Sequence, residues 1–365
     1  MAIPAVVATL ACGRGEVQSE TDWRREPQRA ASEQARPLTH HHGSGTTLVD
    51  DTFPILAEPY EVSQDRAGRY FITDLLDKDV KVYDTAGRRV GSVGRAGVAA
   101  GEFVGLGSAQ VYHDSVLALD PIRQTLSVFA SDGRFVRSLM VPPPRVSAVR
   151  VVDDSLWLLV AATAAGPHLI RLLHPDGQVA ASFFSRPDLS RTNSFVLQHL
   201  FLLADGSHDR VVVGLVGGDS VYVYSTRGVL LASGSADPVL PLRSYATLLE
   251  GNAGRPRHRD GSWYFDGARV LFKVVASREG VHAFVAPYDT QKGTDLAEGG
   301  TVLSFGIAGG SLRVTARMES DAGLLGRSAV GSLLYVGYAD STHRRYEVHS
   351  AAPISTMAER AGRAR

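Results

Sequence analysis

The chain has 365 residues, of which 44% are hydrophobic and 21% charged, a composition typical of a soluble folded protein. Basic and acidic residues balance at 38 each. No basic block stands out in the folded region, so a nucleic-acid partner is not expected. No stretch of about 20 apolar residues is present, so no transmembrane helix is expected.

The first segment, MAIPAVVATLAC, is short and apolar, which is typical of the core of a secretory signal peptide. Its end, from Thr9 to Cys12, resembles a bacterial lipobox, in which a small residue precedes a cysteine that becomes lipidated. Two features depart from that pattern: Leu10 stands two positions before the cysteine instead of three, and no basic residue precedes the apolar run. An ordinary buried N-terminal segment with a chance cysteine is the alternative.

We therefore predict that residues 1–12 are a signal peptide. The protein is expected to be exported, and to lie in the periplasm or, as a lipoprotein, at the outer or cell-surface membrane. Lipidation of Cys12 is its only expected contact with a membrane. The rest of the chain contains no cysteine, which is compatible with export.

Residues 13–46 are polar, charged and almost free of aliphatic side chains. Such a segment buries too little apolar surface to offset its ordering entropy, so it is predicted to be a flexible linker. Three consecutive histidines, His40 to His42, are capable of weak metal binding. A solvated linker is the simpler interpretation.

From Thr47 onward the sequence alternates short apolar runs with Gly, Asp and Ser clusters, which indicates β-strands. The stretch from Gly68 to Gly94 is predicted to form a strand, a polar tip, a second strand, a turn and a third strand. The same pattern occurs three more times along the chain. A glycine marks the last turn of each copy, where positive φ is tolerated. These glycines recur every 44 to 51 residues: Gly87, Gly133, Gly177 and Gly228.

A repeat of this length made only of strands is typical of four-stranded propeller blades. Two weaker units follow, one from Gly267 to Met318 and one from Gly331 to Ser350. The last unit has two strands, and the segment from Thr47 to Leu56 offers another to complete it. We predict an all-β fold, a β-propeller of about six four-stranded blades over residues 47–350. The ring is closed by an N-terminal strand, residues 351–365 form a disordered tail, and the protein is a monomer.

The tract from Val90 to Phe103, which ends in Gly101, Glu102 and Phe103, resembles the linker between blades of NHL-repeat propellers. The strands YFITD and VKVYD also resemble the NHL blade core, with Asp74 and Asp84 where that family often has acidic residues. The closest group is the bacterial six-bladed propellers of NHL/TolB-like type. The resemblance covers Gly68 to Leu139 and fades afterwards, and the usual proline after Gly-Glu-Phe is replaced by Val104-Gly105-Leu106. It supports the fold more than any function.

Little in the sequence indicates catalysis. There is no Gly-x-Ser-x-Gly tract, and the only cysteine lies in the signal region, so a serine or cysteine hydrolase is not expected. The glycine-rich tracts lack the Gly-Lys-Ser of a phosphate loop. No cofactor is predicted.

A metal in the propeller channel is nevertheless an open alternative, because the NHL-like group includes a lyase with such a metal. Calcium or zinc would need acidic or histidine ligands from several blades. The candidates are Asp74, Asp120 and His113, with His168, His199 and His282 as further histidines. The competing interpretation is that strand-end aspartates cap turns.

A small basic cluster lies in the long connection before the fifth unit. Arg255, Arg257 and His258, with Trp263 nearby, are candidates for binding a ligand, because long loops in compact domains are often functional. A solvated loop above packed aromatic side chains is the alternative.

Two main hypotheses follow. The first is a non-catalytic binding or scaffold propeller at the bacterial cell envelope, with an unknown protein or small-molecule ligand. The second is a metal-dependent hydrolase or lyase with its site in the channel. A sensor module is a third, weaker one.

Overall fold

The computed structural model describes the chain in fifteen segments, all within one compact unit, Ala35–Arg365. The described residues are 38–40, 45–50, 55–143, 145–153, 155–161, 168–184, 202–215, 220–236, 257–259, 262–264, 268–277, 280–288, 299–328, 331–339 and 345–351.

Every regular element among these residues is a β-strand, as the sequence predicted. No helix in the same segments has the length and apolar character needed to cross a membrane. The N-terminal part contributes two short strands, β1 (Leu38–His40) and β2 (Thr46–Thr47). β1 lies in the segment predicted as a linker and pairs in parallel with Met318 to Ser320. β2 lies across the predicted boundary between linker and propeller, and it pairs antiparallel with Glu347 and Val348.

Four consecutive sets of strands follow, each an antiparallel meander in which neighbours in sequence pair. The first set is β3 (Pro59–Gln64), β4 (Tyr70–Asp74), β5 (Asp79–Tyr83) and β6 (Arg89–Val93). The second is β7 (Ser108–Tyr112), β8 (Ser115–Asp120), β9 (Thr125–Ala130) and β10 (Phe135–Met140). The third is β11 (Val146–Asp153), β12 (Leu156–Ala161), β13 (Ile170–Leu173) and β14 (Val179–Phe183). The fourth is β15 (Leu202–Ser207), β16 (Arg210–Leu215), β17 (Ser220–Ser225) and β18 (Leu230–Ser235).

A small hairpin of β19 (Arg257–Arg259) and β20 (Ser262–Tyr264) comes next. The fifth set is β21 (Ala268–Ala276), β22 (Val281–Tyr288), β23 (Gly300–Ala308) and β24 (Ser311–Ser320). The sixth is β25 (Gly323–Ser328), β26 (Leu333–Tyr338) and β27 (Tyr346–Ala351), and β2 pairs with the outer edge of β27. The first strands of the sixth and first sets, β25 and β3, pair in parallel.

The turn glycines occupy the positions predicted from the repeat. Gly87, Gly133, Gly177 and Gly228 each lie between the third and fourth strands of a set, with φ between 79° and 90°. Each glycine N–H donates to the carbonyl oxygen three residues earlier. Positive φ is strained for residues that carry a Cβ, so glycine is required at these tight turns.

Buried side chains fill the spaces between consecutive sets. Phe71 and Val82 of the first set pack with Val116 and Phe129 of the second, for example. Similar clusters join the second set to the third, and so on to the sixth. A further cluster joins the sixth set back to the first and includes Val62, Ile72, Tyr83, Leu334, Val336 and Tyr346.

Candidate functional site

The first strand of every set carries a charged or amide side chain, besides smaller polar residues such as Ser108 and Ser207. Neighbouring positions on these strands are mostly apolar, as in ADGS and LFKVVA. We call these six residues the inner polar layer: Glu61, Gln110, Arg150, Asp205, Lys273 and Arg327. All except Arg327 are buried, with 8% exposure or less.

Glu61 is the centre of the layer. Its Oε2 lies 3.1 Å from Nη1 of Arg150, and its Oε1 lies 3.3 Å from Nζ of Lys273. Gln110 Nε2 also donates to Oε1, at 3.2 Å. Because β3, β11 and β21 belong to the first, third and fifth sets, this carboxylate joins three sets that do not follow one another in the chain.

Arg327 forms a second group of contacts with the third and fourth sets. Its Nη2 donates to the carbonyl oxygen of Val151 at 2.8 Å, and its Nη1 donates to Oγ of Ser207 at 3.3 Å. Its Nε lies 3.7 Å from Oδ2 of Asp205, which also accepts the backbone N–H of Ala276 at 2.9 Å.

Several polar side chains on the first strands also bind the backbone of the next set. Ser108 Oγ accepts the N–H of Val149 at 2.9 Å, and Gln110 Oε1 accepts that of Val151 at 2.8 Å. The N–H groups at a sheet edge need partners when they are buried, and these side chains supply them. Part of the inner polar layer therefore holds consecutive sets together.

Burial changes the proton affinity of the layer. It raises the pKa of Asp205, although Arg327 and Arg150 oppose the change. It lowers the pKa of Lys273 against the attraction of Glu61. Burial also acts to lower the pKa of Arg150, but Glu61, Tyr60 and Asp205 together outweigh it and the pKa is raised. Arg150 is thus a permanent buried cation.

Tyr60, next to Glu61, completes this environment. Its hydroxyl lies near the guanidinium of Arg150, and burial raises the pKa of the phenol. The ammonium of Lys273 lies 5.2 Å from the centre of the Tyr60 ring, a cation–π distance. Tyr60 itself is half-buried. Guanidinium, ammonium and phenol groups together are the donors that oxyanions prefer.

The aspartates predicted as metal ligands lie elsewhere, at the ends of second strands. Asp74 accepts the backbone N–H groups of Ala57 at 2.7 Å and Glu58 at 3.1 Å, and it pairs with Nζ of Lys81 at 3.0 Å. Burial acts to raise the pKa of Asp74, but these hydrogen bonds outweigh it and the pKa is lowered.

Asp120 holds the equivalent position in the second set. Its Oδ2 accepts the N–H of Val104 at 2.8 Å, and its Oδ1 accepts those of Ile122 and Arg123, both at 2.9 Å. Both aspartates therefore cap a turn and hold the segment that leads into the first strand, which is the alternative the sequence left open for them.

The histidines are dispersed. His113 lies in the turn between β7 and β8 with φ of 51°, and its ring packs against Tyr112. His282 is buried on β22 between the hydroxyls of Ser304 and Ser277, at 2.9 and 3.2 Å, and burial lowers its pKa to about 4. In the described segments no three His, Cys, Asp or Glu residues form a group able to hold a metal. Metal binding by Asp74, Asp120 and His113 stays a prediction.

The basic cluster is described only in part. Arg257 and His258 lie on β19, where His258 is opposite Trp263 of β20. Arg255, Cys12, His41, His42 and His199 lie outside the described residues. Ligand binding by the cluster and lipidation of Cys12 therefore stay predictions.

The inner polar layer was not predicted from the sequence, because the repeats were matched at their last turns. The signal was present in the first strands, where a charged or amide side chain interrupts each apolar run. Arg150 in AVRVV and Lys273 in LFKVV are examples. Arg327 differs from the others in register, because it pairs with Ser63 of β3 and not with Glu61.

Comparisons with known proteins agree with the architecture. No protein-family model matches the sequence, and no curated protein matches it. Among solved structures, a member of the DUF4221 family from Bacteroides vulgatus is similar over 85% of this chain and 96% of its own, with 10% identity and a TM-score of 0.53.

Two lyases are also similar in structure. Virginiamycin B lyase from Staphylococcus aureus matches with 8% identity over 79% of each chain and a TM-score of 0.46. A streptogramin B lyase matches with 11% identity over 84% of this chain and 97% of its own, with a TM-score of 0.45. Identities this low concern the fold alone. The all-β sets of four strands and the likeness to the DUF4221 member show a fold of β-propeller type.

Proposed function

We propose that the chain is a six-bladed β-propeller of NHL/TolB-like type that is exported to the bacterial cell envelope and acts there by binding a protein partner, without catalysis. In this proposal each set of strands is one blade, and β2 is the fourth strand of the sixth blade. The pairing of β2 with β27 supports that closure. So does the cluster that joins the sixth set to the first. Export rests on the apolar start of the chain and on Cys12.

The observation that carries the binding role is an exposed apolar surface on the first two sets. Leu76 and Ile122 lie in the turns between second and third strands, Val98 lies in the segment after β6, and Met140 is the last residue of β10. Their exposed fractions are 66%, 58%, 77% and 73% in that order. Large apolar side chains grouped at one surface indicate an interaction site.

Hydrogen bonds between two loops show that part of this exposed apolar surface is continuous. Arg123, next to Ile122, donates to the carbonyl oxygens of Ala99 and Glu102, both at 3.5 Å. Val98 is therefore held beside the turn that carries Ile122. Because strands alternate in direction, the turns between third and fourth strands lie at the opposite edge. In these two sets those turns expose polar residues such as Thr85 and Asp132.

Site-specific photocrosslinking in the producing cell tests the proposal. A photoreactive phenylalanine analogue replaces Leu76 or Ile122, and in the controls it replaces Thr85 or Asp132, which lie in the same sets at the opposite edge. We expect a discrete adduct of one size from Leu76 and Ile122, formed in the envelope fraction. Adducts of equal strength from the control positions, or no adduct from any position, would overturn the binding role.

A further inference from the structure

The inner polar layer holds more positive than negative side chains. Arg150, Lys273 and Arg327 are cationic, whereas Glu61 and Asp205 are the acidic members. A buried charge is costly unless it is paired. The layer is therefore suited to receive a negative charge.

Two buried atoms of the layer are left without a hydrogen bond in the part of the chain that the structure describes. They are Nε of Arg150 and Oδ1 of Asp205. Both side chains are only 4% exposed. An unsatisfied buried polar atom costs about 1–3 kcal/mol, so native proteins rarely leave such atoms unpaired. Here a strong donor and a strong acceptor are both free within one layer.

Arg150 and Asp205 are close enough for their charges to affect each other and Lys273. The charge of Asp205 favours the protonated forms of both Arg150 and Lys273. Tyr60 lies beside both cations, because its ring centre is 5.2 Å from the Lys273 ammonium and its hydroxyl is near the Arg150 guanidinium.

We propose that the inner polar layer binds a small oxyanion, a carboxylate or a phosphate, between Arg150, Lys273 and Tyr60. The guanidinium and the ammonium donate to the anionic oxygens, and Asp205 accepts from a hydroxyl or amino group of the same ligand. The ligand adds the missing negative charge and uses the free Arg150 donor. This site deepens the proposed binding role by adding a small-molecule ligand at a place separate from the exposed apolar surface.

Isothermal titration with succinate and with inorganic phosphate tests the site, with sodium chloride used to keep the ionic strength constant. The full chain is compared with Lys273→Met, which keeps the length of the side chain and removes its charge. Lys81→Met is the matched control, because Lys81 is also buried and ion-paired but bonds Asp74 away from the layer. We expect saturable binding of at least one anion, at least tenfold weaker in Lys273→Met, which is about 1.4 kcal/mol. Lys81→Met is expected to keep the affinity of the unchanged chain.

Tyr60→Phe is a second variant for the case in which Lys273→Met does not fold, since it removes only a half-buried hydroxyl. It is expected to weaken binding severalfold. Binding of succinate alone or of phosphate alone identifies the chemistry of the natural ligand. Absence of saturable binding by both anions, or equal affinity in the unchanged chain and Lys273→Met, would overturn the site. Such a result leaves the crosslinks at Leu76 and Ile122 unaffected, so the two proposals fail separately.

Discussion

Glu61→Gln is the substitution that tests the inner polar layer most sharply through stability. Glu61 is fully buried and contacts Arg150, Lys273 and Gln110. Glutamine keeps the size of the side chain but leaves two buried cations without their counter-charge. Removing one partner of a buried ion pair costs about 3–5 kcal/mol. Since burial already lowers the pKa of Lys273, that residue is able to lose its proton and reduce the cost, so we expect the lower end, about 3 kcal/mol.

Urea denaturation followed by circular dichroism and by the fluorescence of buried Trp157 measures this cost. With an m-value of about 3 kcal/mol per M, the midpoint is expected to fall by about 1 M urea. Glu319→Gln is the matched control, because Glu319 also accepts hydrogen bonds from two side chains, Arg317 and Thr301, but is 36% exposed. The Glu319→Gln substitution is expected to lower the free energy of unfolding by about 1 kcal/mol or less. Equal costs at the two positions would refute the argument that Glu61 neutralises buried cations.

Three further predictions concern other parts of the fold. His282 has a pKa lowered to about 4 by burial, so the unfolded chain binds a proton that the folded chain does not. Stability is therefore expected to fall by about 3 kcal/mol between pH 6.5 and pH 4. Chemical denaturation across that range measures the fall, which His282→Asn should reduce and the same change at exposed His208 should not. Asp74 has a lowered pKa, so its contribution is present above the ordinary pKa of an aspartate and is lost as the pH falls through the folded value. Asp74→Asn should lower the thermal midpoint at pH 7 and flatten the acid side of the stability profile, and an unchanged profile would contradict its role as a charged cap. Gly87→Ala places a Cβ against the backbone of Thr47, whereas Gly177 has a similar φ and open space around it. Gly177→Ala is expected to cost about 1–2 kcal/mol from φ alone, and Gly87→Ala clearly more in the same denaturation assay. Equal losses would mean that residues 46–47 do not pack on that turn.

Local rules made the repeat readable from the sequence. Tight turns need glycine at positive φ, and Gly87, Gly133, Gly177 and Gly228 all occupy such turns. Alternation of apolar residues identified the second to fourth strands of the first set, and the expectation that strand-end aspartates cap turns holds at Asp74 and Asp120. Each of these signals depends on residues within a few positions of one another.

The candidate site depends on residues far apart in the chain, which is why the sequence did not reveal it. Glu61 and Lys273 form an ion pair although 212 positions separate them. Neither residue is unusual in its own strand, because a single charged residue among apolar neighbours also occurs on exposed strands. Their proximity becomes evident only from the packing of the first strands, in which β3 contacts β25 and β25 contacts β21. The first N-terminal strand, β1, was hidden for the same reason, since its partners lie near residue 318.

Metal content tests most directly whether this propeller binds without catalysis. The full chain is purified without chelator and its calcium and zinc are measured by elemental analysis. Thermal unfolding is then recorded with and without a chelator. The account expects far less than one metal ion per chain and the same melting temperature in both conditions. About one calcium or zinc ion per chain, lost on chelation together with thermal stability, would contradict it and favour a metal-dependent hydrolase or lyase.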